Sequence, residues 1–143
     1  MIGLGCGARS YTQRIHYATR FAVTQSGVRA ILREWIGQSN HDFANATHGL
    51  CLSEEEQIRR YVILSLLQME GMSLREFAQR FPGVDVDSLT GLPELRERGW
   101  LRRTEEREVL TALGLEHSDQ VGPMLYSATV RDRLREFTVG PNR

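Results

Sequence analysis

Residues 53–71 read SEEEQIRRYVILSLLQMEG. Ser53 with Glu56 three positions on is a capping box, in which the hydroxyl and the carboxylate each satisfy an orphan N–H of a first helical turn. Glu54 and Glu55 favour the positive end of the same helix. From Tyr61 to Met69 the stretch is apolar nearly all round, which predicts the buried central helix of a domain. Gly71 ends it.

Working outward toward the C-terminus, Ser73 caps a shorter helix over LREFAQRF, closed by Pro82-Gly83. A third helix falls within VDSLTGLPELRERG, where Pro93 either opens the regular turns or bends them. WLRRTEEREVLT reads as two short strands around a charged turn. Three helices followed by a two-stranded wing, from Ser53 to Thr111, predict a winged-helix arrangement. Beyond it, Thr111 caps a helix through ALGLEHSDQVGPMLYS, bent near Gly122-Pro123, with SATVRDRLREF continuing or following.

Toward the N-terminus, TQSGVRAILREWIGQ places Val28, Ile31, Leu32, Trp35 and Ile36 at three- and four-residue steps, an amphipathic helix that Gly37 stops. SNHDFANATHG is a polar connector. MIGLG is a short extended piece leading into a glycine-rich turn. Tyr11, Ile15, Tyr17 and Phe21 then recur at roughly even spacing, which favours a twisted hairpin or irregular loop over a helix. The expected organisation is an edge strand and loop over 1–23, a helix and connector over 24–51, the winged-helix-like domain over 52–137 and a frayed tail over 138–143. The fold class is mainly α with a small β-hairpin wing.

The 143 residues suffice for one ordinary domain with a core. Basic and acidic residues balance at 18 each, every one of the former arginine, so the bulk attraction that drives nucleic-acid and anionic-membrane binding is missing. No apolar run approaches the roughly 18 residues of a membrane span. Neither a basic stretch nor an apolar core marks the first residues as a signal peptide. Two cysteines make no disulfide framework, and the expected setting is cytoplasmic.

Candidate chemistry is sparse. Gly3, Gly5 and Gly7 follow G-x-G-x-G rather than the dinucleotide spacing, with no strand before and no helix directly after. Cys6 as a nucleophile would need a base, and His16 lies ten residues away. His41, His48 and Cys51 with Cys6 make only half a metal pattern. His117, Ser118 and Asp119 are consecutive and would point three ways on a helix, so they form no triad. A DNA-reading third helix would carry Asp85, Asp87, Glu94 and Glu97 against Arg96 and Arg98, and phosphate repels that balance. The alternative reading is a stand-alone winged-helix interaction module that binds protein or, less readily, DNA.

Several stretches together resemble one family. GLGCGARSY followed by HYAT is similar to the end of the catalytic barrel in radical S-adenosylmethionine enzymes of the oxygen-independent coproporphyrinogen III oxidase type, where a strand closes on Gly-x-x-Ala-x-Ser. EEQIRRYVILSLLQMEGMSLREFAQRF, ELRERGWL and VLTALGLEHSDQVGPMLYS resemble, in order, its C-terminal helical domain. The resemblance is to an uncharacterised oxidase-like subgroup. It implies S-adenosylmethionine and a 4Fe-4S cluster for a parent enzyme, and the missing barrel as partner, in the same polypeptide or as a split protein. On that reading residues 1–23 are a remnant of the barrel edge. Because C-x3-C-x2-C is absent, the chain would be inert alone. By the same resemblance Gly5, Ala8, Arg9 and Ser10 fall on the cofactor- or substrate-lining segment. Arg9 replaces an apolar residue there and would suit a carboxylate, such as a porphyrinogen propionate. Tyr17 matches the family's tyrosine, and Thr19 stands where asparagine is usual. No catalytic or metal-binding residue is carried over.

Overall fold

A computed structural model of the chain describes residues 1–20, 22 and 24–139. Phe21, the last of the evenly spaced apolar positions, and residues 140–143 of the expected tail lie outside the described residues. The chain divides into two compact units, Met1–Ser53 and Glu54–Arg143. The architecture is mixed α/β, with seven α-helices and two three-stranded antiparallel sheets among the described residues.

In the first unit, β1 (Arg9–Tyr11) and β2 (Ile15–Ala18) form a hairpin in which Ser10 faces Tyr17 and Tyr11 faces His16. The Thr12 hydroxyl closes the turn by accepting from the backbone N–H groups of Arg14 (3.3 Å) and Ile15 (2.9 Å). The expected twisted hairpin therefore forms. The strand itself follows the glycines instead of containing them. Helix α1 (Gln25–Ile36) is capped by Thr24, whose side chain accepts from the Gly27 N–H at 3.1 Å, and Gly37 closes it. The polar segment after α1 is more than a connector. It holds a 3-10 turn at Asp42–Ala44 and then β3 (Gly49–Cys51), which pairs with β2 to give the order β1-β2-β3. Three residues around a glycine carry no alternation, so nothing local announces β3.

In the second unit, α2 (Glu54–Leu66) starts directly after Ser53 with three glutamates in its first turn. Its later half is not buried all round, since Val62 and Leu66 are inside whereas Leu64 is 54% exposed, and the helix stops at Leu66, short of Gly71, leaving Met69 beyond its end and 91% exposed. Its inward face meets β4 (Met72–Ser73) and, further along the chain, the strand Arg107–Leu110. Ser73 caps α3 (Leu74–Arg80) by accepting from the Glu76 N–H at 3.2 Å. A 3-10 turn at Val86–Ser88 leads into α4 (Leu92–Glu97), which takes Pro93 in its first turn, so the proline opens the helix instead of bending it.

Strands β5 (Leu101–Arg103) and β6 (Arg107–Leu110) make the expected hairpin, but β4 adds to β6, giving a three-stranded sheet of order β4-β6-β5. Thr111 caps α5 (Ala112–Glu116), accepting from the Gly114 N–H at 3.1 Å. The helical run then breaks at His117, earlier than Gly122-Pro123. The His117 ring stacks on Trp100 at 4.5 Å, and its backbone leaves helical geometry. α6 (Ser118–Met124) accommodates Pro123 near its end, and α7 (Ala128–Val139) runs into the segment expected to fray.

The buried apolar core of the described residues lies wholly in this second unit, around Leu66, Met72, Phe77, Leu92, Leu95 and Leu125. Two charged groups are buried with it. Arg59 donates to the carbonyls of Thr90 (3.3 Å) and Leu125 (3.0 Å), to the Thr90 hydroxyl (2.9 Å) and to Glu55 (2.8 Å). It thereby ties α2 to two otherwise unrelated chain segments. Glu108 on β6, fully buried, accepts from Arg96 at 2.5 and 3.1 Å, while Asp87 bridges Arg96 (2.6 Å) and Arg103 (2.5 Å). Among the described residues no helix is long and apolar enough to cross a membrane.

Candidate functional site

The first unit has almost no sealed interior, and its concave side holds a cavity of about 620 Å³. That is within the roughly 300–1,000 Å³ usual for small-molecule sites. One wall is the glycine segment and hairpin, with Gly3, Gly5, Ala8, Ser10 and Tyr17. The other is α1 and the segment after it, with Ile31, Trp35, Gln38, Phe43 and Asn45. Gly5 and Gly7 take φ of +98° and +80°, a region that side-chain-bearing residues avoid, and the Ala8 N–H closes the turn on the Gly5 carbonyl at 3.2 Å. Space beside both glycines is open.

The sheet fixes where the expected site residues can act. Successive strand residues face opposite ways. Ser10 is buried and lines the cavity, its hydroxyl accepting from the Gly3 N–H at 3.0 Å. Arg9, one residue before, is exposed on the other face with Tyr11 and His16, whose rings stack at 4.3 Å. Gly5, Ala8 and Ser10 therefore come together, and Arg9 does not share their surface. Arg9 forms no ion pair among the described residues.

Charges around the cavity are mostly spoken for. Arg20 pairs with Glu34 at 3.4 Å. Asp42 accepts from the Ser39 N–H and hydroxyl, each at 2.8 Å, and these bonds, the backbone one foremost, hold its carboxyl below the usual carboxylate range. Thr19 accepts from the Gly7 N–H at 2.8 Å, and the Thr47 hydroxyl lies 2.9 Å from His48 Nδ1. Three neutral polar side chains differ. Tyr17, Gln38 and Asn45 line the cavity, and none of them hydrogen-bonds a described residue. Trp35 and Phe43 meet edge to face at 5.7 Å with ring planes 68° apart. The spacing of Ile31 and Trp35 on α1 hinted at a shared face. Gln38, Phe43 and Asn45 gave no periodic signal.

The residues present do not fit an iron–sulfur cluster. Cys6 sits half-buried in the glycine turn and Cys51 exposed on β3, and the chain has no third cysteine. Clusters of this kind are held by cysteine thiolates, with three required by the C-x3-C-x2-C pattern. No group of three His, Cys, Asp or Glu gathers to hold a metal among the described residues. In the second unit the β5–β6 hairpin has few cations to spare for phosphate. Arg103 serves Asp87, and Arg107 donates to the carbonyls of Glu70 (3.2 Å) and Gly71 (3.4 Å). No protein-family profile, curated protein or solved structure matches the chain.

Proposed function

We propose that this chain is the C-terminal, substrate-covering part of a radical S-adenosylmethionine protein similar to oxygen-independent coproporphyrinogen III oxidase. The observation that carries the reading is the alternation along β1. Ala8 and Ser10 turn into the unit's own cavity, while Arg9, the residue that departs from the family's pattern, stands exposed on the far face beside Tyr11 and His16. An exposed guanidinium with no ion pair among the described residues is suited to a carboxylate presented from outside the unit, such as a porphyrinogen propionate. The ordered run of motifs from GLGCGARSY to VGPMLYS supports the same assignment.

On this reading the second unit is a winged-helix-like module, with α2, α3 and α4 as its helices and the β5–β6 hairpin as its wing. It packs on the barrel and reads no DNA. The cluster and the S-adenosylmethionine chemistry belong to the barrel, and this chain's residues contribute binding and enclosure only.

Three measurements test the proposal. The reading frame extended upstream of Met1, or a neighbouring gene, should encode C-x3-C-x2-C. Anaerobic incubation of the chain with iron, sulfide and reductant should leave no stable cluster absorbance. Absorbance near stoichiometric with this chain alone would refute the division of labour. Salt-dependent duplex binding at physiological ionic strength would refute the assignment of the second unit.

A further inference from the structure

The cavity of the Met1–Ser53 unit lies on the face of β1 away from Arg9, and Gly5, Ala8 and Ser10, which the family resemblance assigns to a ligand-lining segment, form part of its wall. Its composition is specific. Trp35 and Phe43 form an apolar corner, and Phe43 is half exposed, leaving ring surface uncovered beside an open space. Ionic lining groups are already engaged, Arg20 with Glu34 and Asp42 with Ser39. What remains uncommitted is one phenol and two carboxamides, Tyr17, Gln38 and Asn45, all neutral and the two amides able both to donate and to accept.

A charged ligand finds no free counter-charge in this set. A purely apolar one makes no use of the two amides, which stay half-buried (Gln38) and exposed (Asn45) at the cavity rim. A flat heteroaromatic molecule satisfies both halves, with its ring against the aromatic corner and its polar edge on the amides. Proteins read bases in this manner, with asparagine or glutamine bidentate to the edge and aromatic side chains against the face. The backbone at Gly3, Gly5 and Ala8 contributes small residues to the opposite wall, which leaves room for a planar body. We propose that this cavity binds a free heteroaromatic base or its nucleoside, uncharged at neutral pH.

The test uses the full chain with adenine, cytosine and adenosine as probes and toluene as the apolar control, followed by saturation-transfer NMR and by tryptophan emission. Saturable binding of a base or of adenosine, with toluene much weaker, supports the proposal. The double variant Gln38→Ala/Asn45→Ala should weaken that binding roughly tenfold or more, the expectation for two lost hydrogen bonds. Trp35→Leu should weaken base and toluene alike. Equal binding of toluene and bases, unaffected by the amide variant, overturns the proposal and identifies a nonspecific apolar crevice. Absence of binding by every base probe up to millimolar concentration overturns it as well. Circular dichroism of each variant confirms that the fold is kept. Should a variant unfold, the base-against-toluene comparison on the unaltered chain decides alone.

Discussion

Glu108 offers the sharpest test of how the second unit holds together. Its carboxylate is fully buried, yet only one oxygen is used. Oε1 accepts from Arg96 at 2.5 and 3.1 Å, while Oε2 has no hydrogen-bond partner. Consider Glu108→Gln. The amide oxygen can keep accepting from Arg96, but without charge the bonds weaken to about half. The amide nitrogen takes the place of Oε2 and brings two N–H donors into a buried position with no acceptor, at about 1–3 kcal/mol. Arg96 keeps Asp87 at 2.6 Å and is itself 24% exposed, so it is not stranded. Removal of the unpartnered Oε2 offsets part of that penalty, and the sum is a loss of about 1–3 kcal/mol.

Glu108→Met has nearly the same shape and presents no polar atom. It forfeits the charge-assisted bonds, about 1.5–3 kcal/mol, but regains the desolvation of the unpartnered Oε2, of similar size. Methionine should therefore be milder than glutamine, within about 1 kcal/mol of the parent. Urea unfolding followed by Trp100 emission in a Trp35→Phe background reads the second unit, because Trp100 is buried there. The Gln variant should lower the midpoint by on the order of 2 M. A Gln variant as stable as the parent, or more stable than the Met variant, would refute the reasoning.

Two further outcomes follow from the same geometry. Burial opposes ionisation of Asp87, but hydrogen bonds from Arg103 and Arg96, and their charges, outweigh it and hold its carboxyl below the ordinary 3.8. A carboxyl depressed by folding adds stability that is complete above its unfolded value and drains as pH falls through its lower folded value. Stability should therefore decline below about pH 4, and less steeply in Asp87→Asn. Since Asp87 is 42% exposed, solvent screening limits its share to under about 1 kcal/mol. Gly71→Ala should cost about 1–3 kcal/mol more than Gly83→Ala by thermal unfolding. Both glycines have positive φ, 69° and 82°, but a Cβ at Gly71 would collide with the Glu108 carbonyl oxygen and one at Gly83 meets nothing.

Helix starts were readable one turn at a time. Thr24, Ser73 and Thr111 each satisfy an N–H of the turn they begin, a contact of three residues' reach that the local sequence spells out. The β5–β6 hairpin is local in the same sense, and so is Pro93 at a helix start. Other features depend on segments far apart in the chain. Gly49–Cys51 becomes a strand because β2, more than thirty residues earlier, presents a free edge, and Met72–Ser73 because β6 does. The later half of α2 reads as apolar nearly all round because its sequence cannot say which neighbours are large enough to cover it. Arg59 is buried only because two carbonyls, 31 and 66 residues away, arrive to accept its hydrogen bonds.

The site divides along the same line. Glycines at 5 and 7 and the Gly-x-x-Ala-x-Ser spacing are sequence facts. That Ser10 faces a cavity and Arg9 the opposite side required knowing that residues 9–11 are extended, since a period of two separates neighbours that a loop would leave together. Nor does any periodicity link Gln38 and Asn45 to Tyr17. Only folding the segment after α1 back over the hairpin puts two amides and a phenol around one space. Local backbone chemistry thus determined where elements begin. Long-range closure, whose entropy is repaid by contacts no window of sequence contains, decided which residues share a surface.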